Sequence, residues 1–334
     1  MIFWGATRCR SIIGGYMKKI RVGVVGVGYL GKYHAEKYSR MPHVDLIGVA
    51  DINRNQANHV AQTFETRAFT DYRNLIGRID AVSIAVPTPV HFSVASDFLK
   101  EGIDVLIEKP MTTSLEEADK LIKIADSSGR ILQVGHLERF NPAVIALRDI
   151  VRNPLFIESH RLSIFKDRST DVSVVLDLMI HDIDIILNFV RSDLKSIHAA
   201  GAPVICEHAD IANARLEFEN GCVANVTASR ISLKNQRKIR LFQKDAYISV
   251  DFANRNITVI RQAETAGCDL IPGMDVSQLS FADADALEGE LSSFIRAVST
   301  RELPEVSGHV GRKALEVALI IMDQIHMKLD QYLG

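Results

Sequence analysis

Long hydrophobic runs are missing from this 334-residue chain. No stretch approaches the roughly 18 apolar residues of a membrane span, so none is expected. An excess of charge is missing too: 39 Lys and Arg against 41 Asp and Glu leave a net charge of −2. That balance gives no polybasic footprint for nucleic acid or an anionic membrane. Cysteine is scarce. Cys9, Cys206, Cys222 and Cys268 lie far apart and form no CxxC pair. Cys206-Glu207-His208 has no second ligand pair to answer it, so no metal centre is expected. So few thiols suit a reducing cytoplasm. No repeat or low-complexity tract is present, and 47% hydrophobic with 24% charged residues is ample for two globular domains.

Residues 1–16, MIFWGATRCRSIIGGY, do not read as a secretory signal, because Arg8 and Arg10 interrupt the apolar region. They are expected to be an N-terminal extension, with Met17 as the natural start.

What is there begins at Lys19. Ile20, Val22, Val24 and Val25 form a β-branched run that reads as a buried parallel strand. It ends in Gly26-Val27-Gly28-Tyr29-Leu30-Gly31 and passes into a helix. Such glycines serve a tight turn, close approach of backbone to a pyrophosphate, and tight helix–strand packing, while the helix N-terminus favours the anion. A second strand, Val44 to Ala50, ends in Asp51, about 20 residues on, where a ribose-binding acid belongs. An acid there repels a 2′-phosphate, so NAD is favoured over NADP, with Arg54 as the one contrary feature.

Strand–helix alternation continues to about Gly135 and predicts an α/β, doubly wound parallel (Rossmann) sheet over residues 17–138. Its strand tips carry further cofactor candidates, Pro87, Thr88 and His91 after the fourth strand and Glu108 and Lys109 after the fifth. After Asn141-Pro142 the pattern changes. Alternating strands flank Asn220-Gly221, a strong hairpin signal, and a helix spans Lys313 to Leu329. Residues 139–334 are therefore expected to be an α+β domain on an open, mainly antiparallel sheet.

Two features point to chemistry. Lys109 sits between Glu108 and Pro110 at a strand's carboxyl end, where open α/β sheets bind ligands. The helix near Val174 to Val190 places Asp177, His181, Asp184 and Asn188 on one narrow stripe at about 100° per residue. The rest of that helix is nearly all apolar, broken only by Asp182. The stripe reads as the lining of an internal cleft, since burying unpaired Asp and His is costly. A buried Asp one turn from a His can orient the imidazole, which then takes or returns a hydroxyl proton. Hydride transfer from an alcohol carbon to a nicotinamide needs such a proton acceptor.

The GVGYLG loop, the Glu108-Lys109-Pro110 tip and the Asp177…His181…Asp184 helix together resemble the Gfo/Idh/MocA oxidoreductases, over essentially Met17 to Gly334. The resemblance implies an active site at Lys109, Asp177 and His181, and a Lys-Pro bond that is often cis. Met179 stands where relatives commonly have Gly, which would reshape the pocket floor. Within the family, Gly135 to Pro142 and Leu176 to Asp182 look most like UDP-N-acetylglucosamine 3-dehydrogenases. Those enzymes oxidise the sugar 3-hydroxyl to a ketone, which a partner aminotransferase converts to a 3-amino sugar for lipid A or other surface glycans. On that reading Arg139, Asn141 and Asp184 are candidate substrate contacts, Arg139 and Asn141 being equally readable as a positioned interdomain linker. A homodimer or homotetramer, with residues 139–334 serving substrate binding and oligomerisation, is implied by resemblance alone. Two other readings remain: a dehydrogenase of a free polyol such as inositol or another small carbonyl compound, and a non-catalytic NAD(H)-binding regulator.

Overall fold

The computed structural model describes residues 19–165, 172–263, 273–281 and 284–333. The expected extension, Met17, Cys9 and Cys268 lie outside those residues.

The first sheet is built from β1 (Ile20–Val25), α1 (Gly31–Arg40), β2 (Val44–Ala50), α2 (Arg54–Thr63), β3 (Arg67–Phe69), β4 (Ala81–Ile84), α3 (His91–Lys100), β5 (Asp104–Glu108), α4 (Leu115–Ser128) and β6 (Leu132–Gly135). Its order is β3-β2-β1-β4-β5-β6, and every neighbouring pair is parallel. β4 and β5 are buried at every position, which is why they read as unbroken apolar runs: helices cover both faces. The order reverses between β1 and β4, so the crevice of this doubly wound sheet opens at their carboxyl ends.

The second half adds α5 (Pro142–Ile150), β7 (Phe156–Leu162), a π turn (Val175–Met179) running directly into α6 (Ile180–Val190), then β8 (Leu194–Ala202), β9 (Ile211–Phe218), β10 (Val223–Ser229), β11 (Gln236–Gln243), β12 (Ala246–Asp251), β13 (Asn256–Gln262), β14 (Met274–Ser280), α7 (Ala286–Thr300) and α8 (Gly308–Leu333). Its eight-stranded sheet runs β14-β13-β12-β11-β7-β10-β9-β8. All pairs are antiparallel except β7 with β10. One face is packed: in β9, Ala212, Ala214, Leu216 and Phe218 are buried while their neighbours face outward, the period of two that a one-sided sheet requires. α6 lies on that face, with Ile180, Ile183 and Ile186 in one cluster with Ile157, Val226, Leu241 and Ile321. β7, with its Glu, His and Arg, carries little strand signal, and its place comes from the register of β10 and β11 on either side.

The last 50 residues return to the first sheet. Leu291 and Phe294 of α7 join Val22, Val24 and Tyr38, and Leu315 of α8 joins Val82 and Ile107. Burying each such side chain is worth about 1.5–3 kcal/mol. This shared packing holds α6 against the strand tips of the first sheet.

Candidate active site

The β1–α1 loop has the shape a dinucleotide needs. Gly26 has φ +81°, and a Cβ there would lie 2.8 Å from the Ala85 carbonyl. A Cβ on Gly31 would fall 1.8 Å from the Gly26 oxygen, so α1 starts in direct contact with the turn. At Gly28 nothing lies within 4 Å of the corresponding position, leaving the backbone open to an approaching anion. Leu30 starts α1, and Tyr29 is exposed beside it with its ring edge-on to Tyr33. Asp51 is fixed at the tip of β2: Oδ2 accepts from Val27 N–H and Oδ1 from Asn53 N–H, each at 2.9 Å. Pro87 and Thr88 lie on the β4 tip, where Pro87 opens a short 3₁₀ turn. These residues fit a nicotinamide dinucleotide, with the acid set for a ribose hydroxyl.

His91 departs from expectation. It is buried, with Nδ1 3.0 Å from the Pro110 carbonyl and Nε2 2.8 Å from that of Val86. Burial lowers the imidazole from its ordinary value, and a neutral ring donates its single N–H to one of these two carbonyls. His91 therefore lies between the β4 and β5 tips, packed against main chain.

The Lys109-Pro110 bond is cis. Beyond it, Lys109 Nζ donates to the Asp177 carbonyl at 2.7 Å and lies 3.5 Å from the Leu176 carbonyl. The Asp177 carboxylate is 3.7 Å away. The π turn explains these contacts. Ile180 N–H bonds back to the Val175 carbonyl, one residue further than in an α-helix. The wider turn presents main-chain carbonyls to the lysine, a common use of π turns at functional sites. The helix was expected; its π turn was not, because no residue type encodes one.

The turn also changes the histidine. Asp177 was expected to orient His181, but its carboxylate faces Lys109, and His181 Nδ1 is buried with no hydrogen-bond partner among the described residues. Burial first, then the cations Lys109 and Arg161, push the His181 imidazole well below its ordinary value, so it stands neutral. Burial also lowers Lys109, opposed by Asp177 and Glu108. Lys109, at the carboxyl end of β5, thus meets the turn that lies one helical turn before His181. Met179, expected on the pocket floor, is fully buried in the core of the second sheet.

A further stripe residue turns inward. Asp184 is 1% exposed and takes a bidentate bond from Arg139, Nε to Oδ2 at 2.5 Å and Nη2 to Oδ1 at 2.9 Å. Arg139 is itself 4% exposed, so each closes off the other and neither offers a face to substrate. Asn141 caps α5 through its side-chain oxygen and Ala143 N–H. It and Arg139 therefore build the junction between the two halves. Asp182, on the other side of α6, receives Nε and Nη2 of Arg161, whose Nη1 bonds Glu138 at 2.9 Å. Arg161 carried no signal in the sequence, because β7 had first to be recognised as a strand, and Glu138 was given no role there.

At the β5 tip, Glu108, a cofactor candidate from the sequence, is buried with two residues the sequence did not single out. His34 Nε2 is 3.1 Å from Glu108 Oε1, and Glu290 of α7 brings a ligand atom within 4.8 Å of both. Burial raises Glu290 well above the usual carboxylate range, and neither of its carboxyl oxygens has a hydrogen-bond partner among the described residues. Gly135 leaves the room: a Cβ there would sit 2.9 Å from the Glu108 carboxyl.

A Rossmann sheet with a dinucleotide loop and a lysine–histidine pair at its crevice defines a nicotinamide-dependent oxidoreductase. Residues 20–136 match the oxidoreductase family with an NAD-binding Rossmann fold, and residues 147–249 the GFO/IDH/MocA C-terminal domain. The chain belongs to the Gfo/Idh/MocA family and is a dehydrogenase acting on CH–OH groups. It is 37% identical to a UDP-N-acetylglucosamine 3-dehydrogenase of Acidithiobacillus ferrooxidans over 95% of this chain and 99% of that protein. The crystal structure of that organism's enzyme superposes with a TM-score of 0.86 at 36% identity, covering 92% of this chain and 98% of the other. A scyllo-inositol 2-dehydrogenase (NAD(+)) of Bacillus subtilis is 27% identical over 90% of this chain and 92% of that protein. No helix among the described residues is long and apolar enough to cross a membrane.

Proposed function

We propose that this protein is an NAD-dependent dehydrogenase that oxidises the 3-hydroxyl of UDP-N-acetylglucosamine to a ketone. The observation that carries the chemistry is the neutral His181 beside Lys109, itself held by the π-turn carbonyls. His181 takes the proton from the substrate hydroxyl as the carbonyl forms. Lys109 donates to that oxygen and stabilises its developing charge. Asp177 positions Lys109. When bound, the dinucleotide supplies the two-electron acceptor. Gly26, Gly28, Tyr29, Leu30, Gly31, Asp51, Pro87 and Thr88 would hold it, and the Asp51 carboxylate, anchored by two main-chain N–H groups, favours NAD because a 2′-phosphate would meet a fixed negative charge. In this reading residues 17–138 carry the cofactor and 139–334 the substrate. The 37% identical dehydrogenase supports the sugar nucleotide. A partner aminotransferase would consume the ketone, and a homodimer or homotetramer in the cytoplasm is the assembly proposed.

A second reading, oxidation of a free polyol, is favoured by the similarity to an inositol dehydrogenase. Absorbance at 340 nm with NAD and each substrate separates the two, with an aminotransferase and its amino donor present to draw off the ketone. Reduction of NAD only with the sugar nucleotide is the expected result. Reduction with inositol alone would replace the first reading by the second.

A further inference from the structure

Arg237 lies on β11 directly opposite Arg161 of β7. Side chains alternate along a strand, and Ile239 and Leu241 of β11 are buried toward α6, as are Ile157 and Ser159 of β7. Arg237 and Arg161 therefore share the face that carries α6 and His181. Their situations differ. Arg161 is buried and saturated, bidentate to Asp182 and bonded to Glu138. Arg237 is 57% exposed, and the acid it approaches is Glu138 at 3.7 Å, whose near oxygen Arg161 already holds at 2.9 Å. Asp182 and Asp184, the other acids of the α6 surface, are each taken by an arginine. Arg237 is also near enough to contribute to keeping His181 neutral. A guanidinium fork with donors to spare, on the face of the sheet that carries the site, matches the oxygens of a phosphate.

We infer that Arg237 binds the diphosphate of a nucleoside-diphosphate sugar whose reacting hydroxyl lies at His181. The inference rests on the sugar-nucleotide reading above and adds the residue that makes the site choose phosphate-bearing substrates. The chemistry is consistent: in such a ligand the phosphate is one glycosidic oxygen from the ring that carries the reacting hydroxyl, so the anion and the hydroxyl belong on one face of the site. A free polyol has nothing for Arg237 to hold.

The test uses the full chain and the Arg237→Gln and Arg237→Lys variants. Binding of UDP and of uridine is measured by calorimetry with NADH present, beside kcat and KM for UDP-N-acetylglucosamine and inositol. Thermal unfolding checks that both variants fold. In Arg237→Gln, UDP affinity should fall at least about tenfold and KM for the sugar nucleotide rise by a similar factor, with kcat within about threefold. Uridine binding should not change, and Arg237→Lys should recover part of the loss, since lysine keeps the charge but not the fork. Wild type that binds UDP, with Arg237→Gln binding it equally well, would overturn the inference and leave the sugar-nucleotide reading intact. An equal fall in uridine affinity or kcat would also overturn it, by making Arg237 a structural partner of Glu138. A wild type that ignores UDP and oxidises inositol removes both readings.

Discussion

The two ends of one helix face make opposite use of an aspartate and a cation. At the π turn, Asp177 and Lys109 are 28% and 19% exposed, 3.7 Å apart, and the lysine is held mainly by main-chain carbonyls. Two turns on, the side chains of Asp184 and Arg139 are 1% and 5% exposed and joined by a short bidentate pair. A compact ammonium on a flexible stem can exchange a carbonyl for a substrate oxygen. A planar guanidinium locked to a buried carboxylate cannot. The sequence places Asp177 and Asp184 on the same stripe and makes them look equivalent. Burial and the choice of cation separate them into an open end and a sealed end.

The comparison is broken most severely at the open end. His181→Asn and Lys109→Met should each lower kcat by about 10²-fold or more, with NADH still bound, as followed by steady-state kinetics and nucleotide fluorescence. Near-normal turnover in both would remove the proton-transfer scheme. At the sealed end, Arg139→Ala should destabilise by about 3–5 kcal/mol, because Asp184 is left as a buried charge without its partner. Urea unfolding reads that loss, and activity per folded molecule should survive. If instead KM rises with stability unchanged, Arg139 belongs to the substrate after all.

Asp51→Ser should shift preference toward NADP by about 10- to 100-fold, the size of one charge-assisted hydrogen bond at about 1.5–3 kcal/mol. The ratio of kcat/KM for the two dinucleotides measures it, and an unchanged ratio would shift attention to Arg54. The pH profile sharpens the contrast further. His181 is depressed in the native state, so its base form persists below pH 6.5 and the acid limb of kcat/KM should fall below that value. Stability carries the matching sign: as pH drops below 6.5 the unfolded chain binds a proton that the native chain refuses, so stability falls. His181→Asn should flatten that slope. The smallest effect is expected at Glu290→Gln. An amide replaces an acid that burial already keeps neutral, so the change should cost about 1 kcal/mol or less by thermal unfolding. A larger loss would mean that Glu290 is needed as a carboxylate.

The first sheet was legible because its signals are local. β-branched runs, glycine turns and an acid 20 residues on each follow from neighbouring residues, and all six strands stand where the alternation put them. The second sheet was legible where alternation is clean, as in β9 and β10, and not in β7, whose polar residues are made a strand by partners about 70–80 residues further along the chain. The same split runs through the site. Sequence alone determined that Lys109 stands at a strand tip, that Asp51 follows β2, and that Asp177, His181 and Asp184 share a helix face, because backbone periodicity fixes those directions. Only the tertiary structure decided that His181 is neutral, that Asp177 serves Lys109, that Arg139 and His91 face inward, and that Glu138, Arg161, Arg237 and Glu290 surround the site. Those outcomes depend on burial and on charges brought together from distant parts of the chain, and no local pattern carries either.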